Sequence, residues 1–137
     1  MTLWYRALEV LLGATHYSLP VDIWAVGCIF AEMSRMQALF TGDFEVQQLM
    51  NIFRFLGTPN EQVWLGVTKL KDWHIYPEWK PQALKSVVPD LEPSGLDLLS
   101  EMLVYEPSKR ISAKKAGRSL KLKLAIAACA SLGMLEK

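Results

Sequence analysis

Thr2-Leu3-Trp4-Tyr5-Arg6-Ala7-Leu8-Glu9 sets two aromatic rings and a cation just ahead of a helix start that carries a carboxylate. Working outward, Tyr17-Ser18-Leu19-Pro20 opens a strongly apolar segment, Val21 to Met33, whose hydrophobic residues lie on nearly every face. Ser18 is placed to cap that helix, and Pro20 in the first turn gives up no amide hydrogen bond the helix needs. A helix apolar on most sides belongs at the centre of a bundle, which makes Asp22 and Glu32 its exceptions. Far along the chain, Arg110 stands in a turn after another apolar helix. By themselves Glu9 and Arg110 are two opposite charges distant in sequence.

The remaining pattern is mainly helical. Gly42-Asp43 starts a second helix in which Val46, Leu49, Met50, Phe53 and Leu56 recur at three- and four-residue intervals, and Gly57-Thr58-Pro59-Asn60 stops it. Between Gly66 and Pro93 the periodicity fails, and prolines 59, 77, 81, 89 and 93 forbid long regular elements. Trp64, Trp73, Tyr76 and Trp79 are too many large aromatics for a disordered stretch, so this is expected to be an ordered irregular excursion. Ser94-Gly95-Leu96-Asp97 has the spacing of a capping box ahead of a third helix reaching about Leu103. Ser112 caps a short last helix through Ala116, and no alternating strand is long enough to anchor a sheet.

With 137 residues the chain fits one domain and can bury a sizeable core. Fifteen basic against fourteen acidic residues leave a net charge of +1, so composition argues against a polyanion partner, and no nucleic acid is expected. Lys109, Arg110, Lys114, Lys115, Arg118, Lys121 and Lys123 form one acid-free run, read as a solvated helix face rather than a phosphate patch. Cys28 and Cys129 lack metal-site spacing and read as free thiols of a reducing compartment, nucleus or cytoplasm. His16 and His74 have no ligand partners at zinc spacing. Leu124 to Leu135 is uncharged but well short of the roughly 20 residues a bilayer crossing needs, so no membrane is expected.

Several of these stretches together carry a resemblance. Leu3-Trp4-Tyr5-Arg6, Leu11-Leu12-Gly13, Val21-Asp22-Ile23-Trp24 with Gly27-Cys28-Ile29-Phe30-Ala31-Glu32-Met33, and Leu56-Gly57-Thr58-Pro59-Asn60 resemble a cyclin-dependent protein kinase. Lys69 to Trp79 and Tyr105 to Ala116 are most similar to the plant B type. The resemblance implies a mainly α, partial protein-kinase-like fold, the helical C-terminal lobe only, over residues 1–116, followed by a divergent tail at 117–137. It also implies that Met1 falls within the fold. Leu8 and Leu65 stand where the family usually has proline, and after Ala116 the family's His-Pro-aromatic ending is replaced by a Leu/Ala/Lys-rich, helix-compatible sequence.

Roles follow from the same resemblance. Glu9 would pair with Arg110, and Asp22, with Trp24 behind it, would open the central helix and face a catalytic loop that these residues lack. Trp4 and Tyr5 would anchor a substrate platform by burial, and Thr2 would support the catalytic site of an intact parent. Arg6 would hold the carbonyl just before Thr2, leaving no acceptor for a substrate amide after the target Ser/Thr, a place proline fills without losing a bond. Trp64, Trp73, Tyr76 and Trp79 would offer a docking surface to Cks-type regulatory subunits.

Phosphoryl transfer needs a glycine-rich cover, a phosphate-binding lysine, magnesium carboxylates and a catalytic aspartate. No Gly-x-Gly-x-x-Gly, His-Arg-Asp or Asp-Phe-Gly occurs in this chain. The resemblance thus implies a parent that uses ATP and Mg2+, binds cyclin and phosphorylates protein substrates in cell-cycle control, while this chain holds no cofactor and is inactive alone. The alternative is a non-catalytic helical module that binds Cks-type subunits or substrates.

Overall fold

The computed structural model describes residues 3–117, and within them every regular element is helical. A 3-10 turn, Leu3–Tyr5, leads into the four-residue α1, Leu8–Leu11. Then come α2 (Pro20–Arg35), α3 (Glu45–Leu56), α4 (Leu84–Val87), α5 (Pro93–Met102) and α6 (Ala113–Gly117). Further 3-10 turns lie at Val67–Lys69 and Pro107–Lys109. The expectations for Thr2 and for the tail beyond Gly117 lie outside the described residues.

α2 is the axis. Val21, Ile23, Trp24, Ala25, Gly27, Cys28, Phe30, Ala31 and Ser34 are buried, and the helix packs on α5 and on the turns at Leu3–Tyr5 and Pro107–Lys109. One stripe is left open among the described residues, because Asp22, Val26 and Ile29 follow one another at helical spacing and are all exposed. The helix is therefore central on three sides and bare on the fourth. Burial pushes the Cys28 thiol up to about 12, so this cysteine is inert as a nucleophile.

Two expected caps are not made. Leu19, not Ser18, precedes α2, and it is the Ser18 carbonyl that takes up the Val21 amide. α5 starts with Pro93 behind Glu92, which puts Ser94 and Asp97 inside the helix instead of at a capping box. Proline in each first turn explains both, since its fixed φ seeds the helix and it has no N–H to be capped. Ser112 does cap α6, accepting from the Lys115 amide at 3.1 Å.

α3 starts two residues later than Gly42-Asp43 suggests, and its buried face is rotated from the expected stripe. Gln48, Leu49, Ile52, Phe53 and Phe55 point inward, whereas Val46 is exposed. The core joins this face to Trp24, which stacks with Phe40 and Tyr105 at 6.3 Å between ring centroids. Leu98, Leu99 and Met102 of α5 complete it.

The excursion between α3 and α5 is irregular, and hydrogen bonds tie its returning leg to the end of α3. The Thr58 hydroxyl donates to the Pro77 carbonyl (2.7 Å) and accepts from the Trp79 amide (2.9 Å). Gln82 bonds to the carbonyls of Arg54 and Phe55, and Tyr105 donates to the Gly57 carbonyl. Arg54 lies over the Trp79 ring at 5.3 Å. These bonds satisfy backbone groups that no helix or sheet ladder serves.

α2 and α5 touch so closely at Gly27 that a Cβ there would stand 2.9 Å from the Cβ of Met102. Gly27→Ala is therefore expected to force the two helices apart and destabilise the fold by about 1–3 kcal/mol, despite the better helix propensity of alanine. Urea denaturation followed by tryptophan fluorescence measures this.

Candidate functional site

Arg110 and Glu9 meet as the resemblance implies, and the contact is buried. Nη1 and Nη2 of Arg110 donate to Oε2 and Oε1 of Glu9 at 2.8 and 3.0 Å, with side-chain exposures of 0% and 2%. The other donors are also engaged: Nε to the Val104 carbonyl (2.9 Å), Nη1 to Pro20 (2.7 Å) and Nη2 to Tyr105 (3.1 Å). A guanidinium has five N–H donors, and all five are met. The indole of Trp24 lies under the same group at 5.2 Å. One side chain thus binds α1, the first turn of α2 and the turn after α5. Arg110 is thereby removed from the solvated basic run, whereas Lys114 and Lys115 are exposed.

α1 follows directly from a ledge formed by Trp4, Tyr5 and Arg6. Ala7 and Leu8 are fully buried beneath it, and Leu8 stands at the first position of α1, which proline could also occupy. Burial anchors the ledge only in part, since Tyr5 is half-buried and packs against the core whereas Trp4 is 41% exposed. Polar bonds add to it. The Trp4 indole N–H donates to the Gly42 carbonyl at 3.0 Å, and the Trp4 carbonyl accepts from Gln48 at 3.2 Å. Tyr5 donates its hydroxyl to Glu32 on α2 at 2.5 Å, and the carboxylate pushes the phenol up to about 12. Arg6 pairs with Glu45 of α3 at 3.0 Å.

The structure therefore brings Trp4, Tyr5 and Arg6 together on one ledge, with Glu9 and Arg110 directly behind it. Asp22 is exposed at the start of α2, apart from that pair, and Trp24 is wholly buried. Of the four aromatics proposed for docking, Trp64 and Tyr76 are core residues at 7% and 9% exposure. Only Trp73 and Trp79 are partly accessible, along a groove of about 750 Å³ that also includes Ile75 and Pro81.

Sequence reading singled out Glu32 but passed over Glu45 and Gln48. Gln48 carried no local signal, since the apolar spacing of α3 left it off the expected inward face and only the rotation of that face buries it. Among the described residues no group of three or more His, Cys, Asp and Glu side chains could hold a metal ion. No described helix is long and apolar enough to cross a membrane.

A helical core whose buried carboxylate–guanidinium pair backs an exposed ledge accords with the helical lobe of a protein kinase, and the chain belongs to the protein kinase domain family, whose model matches residues 1–119. Within that family its sequence is like the plant B-type cyclin-dependent kinases. Cyclin-dependent kinase B2-2 of Arabidopsis thaliana is 71% identical over 116 residues, 85% of this chain and 37% of that protein. Cyclin-dependent kinase B2-1 of Oryza sativa subsp. japonica is 67% identical over 85% of this chain and 36% of its own length. Cell division control protein 2 homolog D of Antirrhinum majus is 66% identical, over 85% and 37%. The chain thus spans little more than a third of the relatives it matches.

Removing either partner of the pair strands a buried charge. Arg110→Met or Glu9→Leu alone is expected to cost about 3–5 kcal/mol, and the double substitution much less than the sum. A double-mutant cycle by chemical denaturation checks this; additive losses would show that the two charges act independently.

Proposed function

We propose that this chain is the substrate-side part of a cyclin-dependent, proline-directed serine/threonine kinase of cell-cycle control, and that its 137 residues transfer no phosphoryl group alone. The observation that carries this reading is the ledge Trp4-Tyr5-Arg6, exposed yet fixed, backed by the dehydrated Glu9–Arg110 pair. Likeness to kinases whose names are cyclin-dependent supports it.

In the whole protein the ledge receives the residue after the target Ser/Thr. Arg6 keeps N–H donors beyond its bond to Glu45, and these take the carbonyl just before Thr2. A substrate amide arriving there finds no acceptor, and proline has no amide hydrogen to strand. Thr2 supports the site next to the target hydroxyl. ATP and Mg2+ supply the phosphoryl group and neutralise its charge, and they are bound by parts of the protein beyond these residues. Cyclin binds there too, and the protein works in the nucleus or cytoplasm.

The purified chain with ATP, Mg2+ and a Ser-Pro peptide is expected to give no incorporation, and clear turnover would overturn the reading. Fusing the upstream portion of Arabidopsis cyclin-dependent kinase B2-2 ahead of Thr2, with cyclin added, is expected to give transfer to Ser-Pro in preference to Ser-Ala. A fusion that binds ATP and cyclin yet ignores the peptide would equally count against it.

The groove favours a second role beside the first. Trp73, Trp79 and the fully exposed Ile75 offer apolar surface to a protein partner, and we assign it to a Cks-type regulatory subunit. Capture of a purified Cks-type subunit by the wild-type chain is expected to weaken by about tenfold in Ile75→Glu. Equal capture would place the contact elsewhere.

A further inference from the structure

The ledge is gripped by one turn of α3. Gln48 is 0% exposed, and its side-chain amide donates to the carbonyls of Trp4 (3.2 Å) and Phe40 (3.4 Å) while accepting from the Gly42 amide (2.7 Å). The Trp4 indole closes the circuit by donating to the Gly42 carbonyl. Gly42 must be glycine for this approach, since a Cβ there would lie 2.5 Å from the Gln48 backbone nitrogen. Three residues before Gln48, Glu45 holds Arg6.

An amide carried into an apolar face is costly unless it is bonded, and methionine would fill the same space without that cost. What methionine cannot do is fix the height of the Trp4 carbonyl. Arg6, for its part, is a long side chain whose direction decides which acceptors it can reach. We infer that Gln48 and Glu45 are positioning residues for peptide selection: Gln48 fixes the backbone of the ledge, and Glu45 aims the Arg6 guanidinium. Neither contacts the peptide, and both act through Trp4 and Arg6. This inference rests on the proposed reading of the ledge as the place that receives the residue after the target.

The test uses the full chain in the fusion described above, with cyclin, assayed on paired Ser-Pro and Ser-Ala peptides. Glu45→Gln is expected to lower the Ser-Pro preference about threefold, the size an exposed ion pair allows, with Glu45→Asp restoring most of it. Gln48→Met is expected to lower kcat/KM for Ser-Pro about tenfold through the peptide KM, leaving the KM for ATP unchanged. General loosening of the lobe would move both KM values together, and that result overturns the inference. Should Gln48→Met fail to fold, the Glu45 series, at the surface, still decides. A wild-type fusion without Ser-Pro preference removes the reading and the inference with it. A wild-type preference that survives in every variant removes the inference alone.

Discussion

A carboxylate and a guanidinium with almost no contact with water hold the two ends of this fold together. Dehydrating two charges is expensive, and the expense is offset only when geometry is good and every remaining donor is bonded. Arg110 meets that condition, with Glu9 taking two of its N–H groups and three carbonyls, Pro20 at the start of α2 and the adjacent Val104 and Tyr105 in the turn after α5, taking the rest. The pair is therefore less a source of net stability than a device that permits one arrangement. Any shift of α1, the start of α2 or the turn before Arg110 leaves a buried donor or a buried charge unmet.

The ledge solves a different problem. Trp4 is exposed and Tyr5 and Arg6 are half-buried, so the ledge cannot be stiffened by burial alone. Trp4, Tyr5 and Arg6 each have a polar anchor: the buried Gln48 with Gly42, Glu32 of α2, and the exposed Glu45 one turn ahead of Gln48 on α3. The long excursion is ordered by the same principle. It forms little regular structure of its own, and side chains such as Thr58 and Gln82 bond its backbone to the end of α3. Its aromatics divide accordingly: Trp64 lies in the core, Tyr76 joins the core while forming part of the groove wall, and Trp73 and Trp79 border the groove partly accessible.

The helices were legible because apolar spacing is a local property, and α2, α3 and α5 lie where that spacing puts them. The ends were less so. Ser18 and Ser94 have the right chemistry for caps, but a neighbouring proline had already set where each helix starts. The rotation of the α3 face, which brings Gln48 inward and leaves Val46 outside, depends on what lies across from it, and spacing within the helix cannot report that.

By itself the sequence determined the helical class and the family resemblance, each carried by short runs of residues read in place; the pairing of Glu9 with Arg110 was implied by that resemblance and not by the two charges themselves. Only the tertiary structure decided that hydrogen bonds hold the exposed Trp4, that Arg6 answers to Glu45, and that an inward glutamine carries the ledge. The reason is physical. Whether a polar group is satisfied depends on partners brought close by folding, and here those partners lie 38 to 44 residues away along the chain.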